Sequence, residues 1–305
     1  GDKLRGVPDS RKNEVLSFLK QPLQDISISR SNERAKNWGV QVPGDNNQRA
    51  YVWFDALNIY QSGIGFGLDD KKYKKWWPAD IHVIGKGIIR FHAVYWPAFL
   101  LSAGLKLPKS IFVHGYLTVG GQKMSKSLGN VVDPFELVKK YGTDAVRYFL
   151  LREIPPTEDG DFTYEKFERR YNSDLAGGLG NLVARVITLV RKSKIQNSKS
   201  KINPKFKIQI NRTWKNYHKA LGEFKFNEAL VVVWELIGFC DRYIERERPW
   251  EKSKKQLSVI NDLLSALYEI AELLKPFLPD TSDKVLKQLK TKESKALFPR
   301  KTSKL

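Results

Sequence analysis

Two lysines three residues apart, Lys123 and Lys126, stand in the stretch Val113-His114-Gly115-Tyr116-Leu117-Thr118-Val119-Gly120-Gly121-Gln122-Lys123-Met124-Ser125-Lys126-Ser127-Leu128-Gly129-Asn130. An apolar run that reads as a strand precedes them, and the paired glycines let the loop move. Such a loop can close over a triphosphate, its ammonium groups stabilising charge on a leaving pyrophosphate during attack at the α-phosphate. Lysine suits that task as a flexible point charge. Asn181 and Arg185, four residues apart, project from one face of a helix, and Trp250 follows Pro249. Taken bare, Arg185 reads as a solvated charge and Trp250 as a core anchor. His82 and His114 each fall in an apparent strand and read as core histidines. No His, Cys, Asp or Glu cluster has metal-ligand spacing, and the single cysteine, Cys240, leaves no cysteine-ligated zinc site in this chain.

The elements that must position these groups change character along the chain. Ala50-Tyr51-Val52-Trp53-Phe54, Ile81-His82-Val83-Ile84 and Ile111-Phe112-Val113-His114 read as buried strands. Between the last two, Phe91 to Ala103 carries apolar residues at helical spacing, so strand, helix, strand predicts a parallel α/β unit. After the lysine loop, Asp133 and Pro134 predict a helix start and Gly142 its end, at Tyr141. From Thr163 onward strand signals vanish. Apolar stripes at Trp214, Tyr217 and Leu221, at Leu230, Val233 and Ile237, and from Leu257 to Leu274 predict helices, with Pro276 and Pro279 ending the last. Lys192 to Lys207 reads as an exposed basic connection. The expected division is 1–112, 113–168 and 169–305. The chain has 305 residues with 41% hydrophobic content, enough for buried cores, which excludes a disordered or fibrous polymer. Its net charge of +20 gathers polyanions, nucleic acid above all, although a lysine-rich solvated surface accounts for the same composition. No membrane-length apolar run or signal peptide is read, and the lone cysteine fits a reducing, cytoplasmic setting.

On Tyr51-Val52-Trp53-Phe54-Asp55-Ala56-Leu57, then Gly85-Lys86 through Phe91-His92-Ala93-Val94-Tyr95-Trp96-Pro97, then the lysine loop, the chain resembles the class I aminoacyl-tRNA synthetases. Within that class it is similar to the methionyl-tRNA synthetases of the bacterial type, from Arg11 through Arg300. The resemblance implies a partial nucleotide-binding α/β (Rossmann-like) domain, a connecting module around the lysine loop, and an α-helical anticodon-binding bundle. It implies ATP-dependent activation of methionine to methionyl-adenylate and transfer to tRNA(Met), with Mg²⁺ carried by ATP. The roles carried over are catalysis for Lys123, Ser125 and Lys126, and ATP binding for Gly85, Lys86, Leu117, Met124 and Lys126. The methionine pocket would comprise Trp53, Ala56, Leu57, Tyr60, Ile88, His92 and Trp96, where aromatic walls suit a polarizable thioether and His92 or Tyr60 can offer its sulfur a donor. Anticodon reading falls to Asn181, Arg185 and Trp250, through stacking and polar contacts to base edges.

Three features depart from that pattern. Gly87 stands where the family usually has an acid, removing a carboxylate expected near the nucleoside. An extra glycine in Leu175-Ala176-Gly177-Gly178-Leu179-Gly180 is expected to loosen the helix carrying Asn181. The His-Ile-Gly-His signature and the first nucleotide-fold half are not in these residues. The alternatives are a non-catalytic tRNA-binding fragment, or one subunit of a split synthetase that needs a separate N-terminal half. A leucine- or cysteine-specific class I enzyme is a third, against which the Trp53-Phe54-Asp55-Ala56 and Asn181, Arg185, Trp250 sets stand.

Overall fold

The computed structural model describes residues 4–193, 202–251 and 255–301, in two compact units that meet in sequence between Tyr116 and Leu117. In the first unit, β1 (Arg5–Val7) leads into α1 (Asp9–Leu19), and β2 (Ser29–Ser31), β3 (Gln41–Val42) and β4 (Asp45–Ala50) form a small antiparallel sheet in the order β2-β4-β3. Three short helices follow, α2 (Val52–Ala56), α3 (Ile59–Ser62) and α4 (Asp70–Trp76). Then come β5 (His82–Gly85), α5 (Trp96–Ser102) and β6 (Ser110–His114). β6 is the middle strand of a parallel sheet ordered β1-β6-β5, so the expected strand, helix, strand unit is present. Its apolar residues Ile84, Ile89, Ile111 and Val113 form a buried cluster.

The expected strand at Ala50–Phe54 is corrected. β4 ends at Ala50, and the amides of Phe54 and Asp55 both donate to the Tyr51 carbonyl, opening α2. A short apolar run does not distinguish strand from helix. Here Trp53, Leu57 and Tyr60 belong to one aromatic and aliphatic cluster with Trp77, Trp96 and Leu100, which the spacing of a helical path allows.

The second unit opens with β7 (Leu117–Val119) and β8 (Gln122–Lys123), a hairpin joined by Gly120 and Gly121, both in the left-handed region. α6 (Pro134–Tyr141) starts as expected, with the Asp133 carboxylate accepting from the Phe135 amide at 2.8 Å, and stops before Gly142 at φ +88°. α7 (Thr143–Arg152) and β9 (Gly160–Phe162) follow, β9 pairing in parallel with β7. Beyond β9 no strand occurs among the described residues, only α8 (Tyr164–Arg170), α9 (Asn181–Ser193), α10 (Pro204–Gly222), α11 (Phe226–Glu247), α12 (Gln256–Leu274) and α13 (Pro279–Thr291). One continuous core runs from Leu137, Tyr148 and Phe149 through Leu175, Val186, Leu230 and Val233 to Leu267 and Val285.

Two local expectations change. Part of the basic connection, 194–201, lies outside the described residues, whereas Pro204–Lys207 form the first turn of α10, capped by Asn203. The glycine run does not break the chain's helical path: Tyr171–Gly180 form wide π turns linking α8 to α9. A Cβ on Gly177 or Gly180 would meet the carbonyl oxygen five residues earlier at 3.1 or 3.0 Å, so the glycines make room for these turns. Asp174 ties the segment down, accepting from Tyr148, Arg170 and Ser173. The resulting helix, Tyr164–Ser193, is 30 residues long and apolar enough by composition to cross a membrane, unlike the sequence expectation. Its Leu175, Leu179, Leu182, Val186 and Ile187 are buried in the bundle core.

Candidate functional site

In the first unit the carboxyl ends of β5 and β6 lie side by side, with Gly85 opposite His114. Lys86 and Gly87 follow β5, and Gly115 and Tyr116 follow β6. In open parallel sheets this edge is where ligands bind. The Lys86 ammonium sits 4.7 Å from the centre of the Tyr116 ring. A Cβ built on Gly87 would fall 2.2 Å from the Tyr116 hydroxyl, so the phenol occupies the place of a side chain at 87. His114 is exposed, its Nδ1 2.8 Å from the Gly115 carbonyl, which corrects its reading as a core histidine.

Behind this edge lies the aromatic cluster. Trp53 stacks on Phe91 at 4.1 Å between centroids and 11° between planes, and meets His92 edge-on at 5.9 Å. His92 is buried, and its Nδ1 lies 3.0 Å from the Ile88 carbonyl, which can only accept. Burial lowers the His92 pKa, against the raising effect of that bond, so the ring is neutral at pH 7 with its proton on Nδ1. Nε2 is then an acceptor, and the Tyr60 hydroxyl donates to it at 2.9 Å. Both donors proposed for a sulfur ligand are therefore occupied within the protein: the Nδ1 proton by Ile88, and the phenol proton by His92. Of the expected pocket, Trp53, Leu57, Tyr60, His92 and Trp96 are brought together, Ile88 joins through its carbonyl, and Ala56 is exposed. Sequence reasoning missed Phe91, although it adjoins His92 in the quoted motif. His82, expected to be a satisfied core histidine, is buried with its Nε2 lacking a hydrogen-bond partner among the described residues. Burial, with His92 adding repulsion, pushes its pKa down to about 4.

The lysine loop belongs to the second unit. Lys123 ends β8, and both Lys123 and Lys126 are exposed. Asn130 closes the loop from within: its Oδ1 accepts from the Ser125 amide at 2.9 Å and its Nδ2 donates to the Lys123 carbonyl at 3.2 Å. Ser125 uses its hydroxyl to accept from the Leu128 amide at 3.3 Å. The hairpin that presents the loop is clamped by Asp161, whose carboxylate accepts from the Gly121 amide, the Thr118 hydroxyl and the Lys166 ammonium. These bonds, the Gly121 amide's first, hold the Asp161 carboxyl below its usual range. Leu117 and Met124 flank the hairpin, exposed and half-buried respectively.

On the helical bundle, Asn181 is exposed at the start of α9, one turn before Arg185. Arg185 is not a free surface charge. Its guanidinium reaches Asp241 at 3.4 Å and Glu245 at 2.5 Å, both on α11. Burial raises the Asp241 pKa and the Arg185 charge opposes that shift. Trp250 lies just beyond α11, 51% exposed and so not the core anchor its sequence position suggested.

Residues 2–187 match the family described as tRNA synthetases class I (M), and residues 205–305 match the anticodon-binding domain of tRNA ligases. The methionine–tRNA ligase of Thermotoga maritima is 41% identical over 94% of this chain and 47% of its own length. That of Clostridium acetobutylicum is 44% identical over 92% of this chain and 45% of its own. The chain thus spans about half the length of the curated relatives it matches. Among solved structures, the Mycobacterium tuberculosis methionyl-tRNA synthetase in complex with methionyl-adenylate superposes with a TM-score of 0.86 and 38% identity, covering 92% of this chain and 58% of that one. The apo form of the same enzyme gives 0.85 at 33% identity, covering 98% and 65%.

Proposed function

Since the chain belongs to the tRNA synthetases class I (M) family, we propose that it supplies part of a methionine–tRNA ligase, contributing the lysine loop, the amino-acid pocket and the anticodon-reading face. In this reading the methionine side chain enters the Trp53, Tyr60, His92 and Trp96 cluster and is recognised mainly by polarizable aromatic surface, because the local donors are already engaged. The methionine carboxylate attacks the α-phosphate of ATP and pyrophosphate leaves. Lys123 and Lys126 stabilise its charge, while Lys86 and Tyr116 face the nucleoside at the strand ends. Mg²⁺ travels with the nucleotide, held mostly by phosphoryl oxygens. Methionine then passes to tRNA(Met), whose anticodon meets Asn181, Arg185 and Trp250. The cytoplasm is the compartment this reading implies.

The observation that carries the proposal is the lysine loop, with two exposed ammonium groups on a hairpin held by Asn130 and Asp161. In a reconstituted enzyme, alanine at Lys123 or Lys126 should slow methionine-dependent pyrophosphate exchange by roughly 10²-fold or more, about 2.7 kcal/mol, with methionine affinity unchanged. A raised methionine Kd with exchange intact refutes the assignment.

A further inference from the structure

Helices α10 and α11 are joined only by residues 223–225, so they run antiparallel, and Phe206 sets their level by packing edge-on against both Phe239 and Tyr243. Between them lies a cleft of about 190 Å³ that none of the roles above uses. Gln209, Arg212 and Asn216 line one wall, and Glu235, Phe239 and Arg242 the other. Neither guanidinium closes an ion pair or hydrogen bond among the described residues, and neither carboxamide does. Asp241, next to Arg242 in sequence, is taken by Arg185 at 3.4 Å.

The position of Arg242 is set by a bare spot on its own helix. A Cβ on Gly238 would lie 3.3 Å from the Arg242 Nη1, closer than ordinary contact, so the arginine folds back over a position that carries no side chain. Glycine inside a helix is a cost that alanine would avoid. Helical side chains lean toward the N-terminus of their own helix. Across this antiparallel pair the lean brings Arg212 toward the level that Arg242 reaches, beside Phe239, and tips Glu235 the other way, toward Asn216. One end of the cleft therefore offers two guanidinium forks and the Gln209 carboxamide, while the acid sits at the other end.

Forked planar donors match the oxygens of a phosphate, where a lysine offers a point charge. Size narrows the ligand further. The cleft is smaller than the ~300–1,000 Å³ of pockets that enclose drug-sized molecules, so it admits a phosphate group and excludes a whole nucleotide. Arg212 and Arg242 are both exposed, so the phosphate can arrive by itself or as a link in a longer chain.

We propose that the Gln209, Arg212 and Arg242 end of this cleft binds one phosphate group, either inorganic phosphate or a phosphodiester of RNA. The site goes beyond the proposed function, because it stands on its own side chains whether or not Asn181, Arg185 and Trp250 read an anticodon. Glu235 limits it to one phosphate, since a second would meet a carboxylate.

The test uses this chain with two probes, inorganic phosphate and a stem-loop with a CAU anticodon. Phosphate should shift the Nε–H NMR signals of Arg212 and Arg242 beyond what sodium chloride does at equal ionic strength. Arg212→Gln or Arg242→Gln should weaken phosphate binding by about 10-fold or more, the size for losing a hydrogen bond to a charged group. Arg242→Lys keeps the charge without the fork and should recover only part of that affinity, whereas Glu235→Gln should tighten it. All three side chains are exposed, so circular dichroism should show every variant folded. The stem-loop separates the two sources. If an RNA phosphodiester is the occupant, Arg212→Gln weakens CAU and scrambled loops equally and lessens the salt dependence of both. If inorganic phosphate is the occupant, stem-loop affinity stays the same while the phosphate shifts remain. Signals that move equally in phosphate and chloride, or phosphate affinity unchanged in both glutamine variants, would overturn the site. Loss of CAU discrimination with the phosphate shifts intact would count against the proposed function instead.

Discussion

At Gly87 the absence of a side chain is what seats Tyr116. Aspartate there would drive its Cβ to within 2.2 Å of the phenol oxygen, so either the backbone or the ring must move. Gly87→Asp is expected to destabilise the chain, and Tyr116→Ala in the same protein should recover most of that loss. A coupling of about 0.5–3 kcal/mol in a double-mutant cycle by chemical denaturation is the expected size for groups in direct contact. Additive effects would show that Tyr116 does not occupy the space of residue 87. The same contact puts a hydroxyl, able both to donate and to accept, where a carboxylate would only accept. His92 gives a second lesson at this scale. Its carbonyl partner fixes which nitrogen carries the proton, and that in turn fixes the direction of the Tyr60 hydrogen bond. The family resemblance implied a pocket suited to sulfur, but the allocation of protons needed coordinates.

Among the elements, the β7–β8 hairpin depends on a residue far along the chain. Asp161, on β9, holds the Gly121 amide at 2.7 Å and the Thr118 hydroxyl at 2.8 Å. Asp161→Ala should leave the helical bundle intact and speed hydrogen exchange at the Gly121 amide. In a reconstituted enzyme it should slow pyrophosphate exchange by less than loss of Lys126 does, because the loop is loosened and its charges are kept. Unaltered exchange at Gly121 would mean the clamp is not what orders the hairpin. The pH dependence has a definite sign. A carboxyl held below its ordinary pKa contributes stability above about pH 4 that is lost as the pH falls through its lowered folded value. The hairpin's protection should therefore fade on acidification. The helix from Asp133 was legible because cap, proline and terminal glycine are all local. The α2 helix was not, because its five residues have no period long enough to separate helix from strand.

For the molecule as a whole, pH acts through the first unit's buried histidines. His82 packs against Tyr60 and Trp77, and its pKa is about 4 in the folded chain against an ordinary value of 6.5. Between those values the unfolded chain binds a proton that the folded chain refuses, so stability falls as pH drops through this window, at up to about 1.4 kcal/mol per pH unit for one site. His92, lowered in the same direction, adds to the loss. Urea midpoints for the first unit's tryptophan signal should drop between pH 7 and pH 5, and His82→Gln should flatten that dependence. A slope equal in both proteins would remove His82 from the account. The net charge of +20 acts differently, predicting RNA affinity that falls steeply with salt. By itself the sequence determined the order of motifs, the parallel α/β unit followed by helices, the lysine loop and the polyanion-seeking charge, because each depends on local spacing or on composition. Only the tertiary structure decided that Arg185 is held by Asp241 and Glu245, that Asp161 clamps the hairpin, that His114 is exposed while His82 is buried, and that Arg212 and Arg242 share a cleft. These outcomes depend on how segments pack, and local periodicity carries no record of which distant side chain arrives.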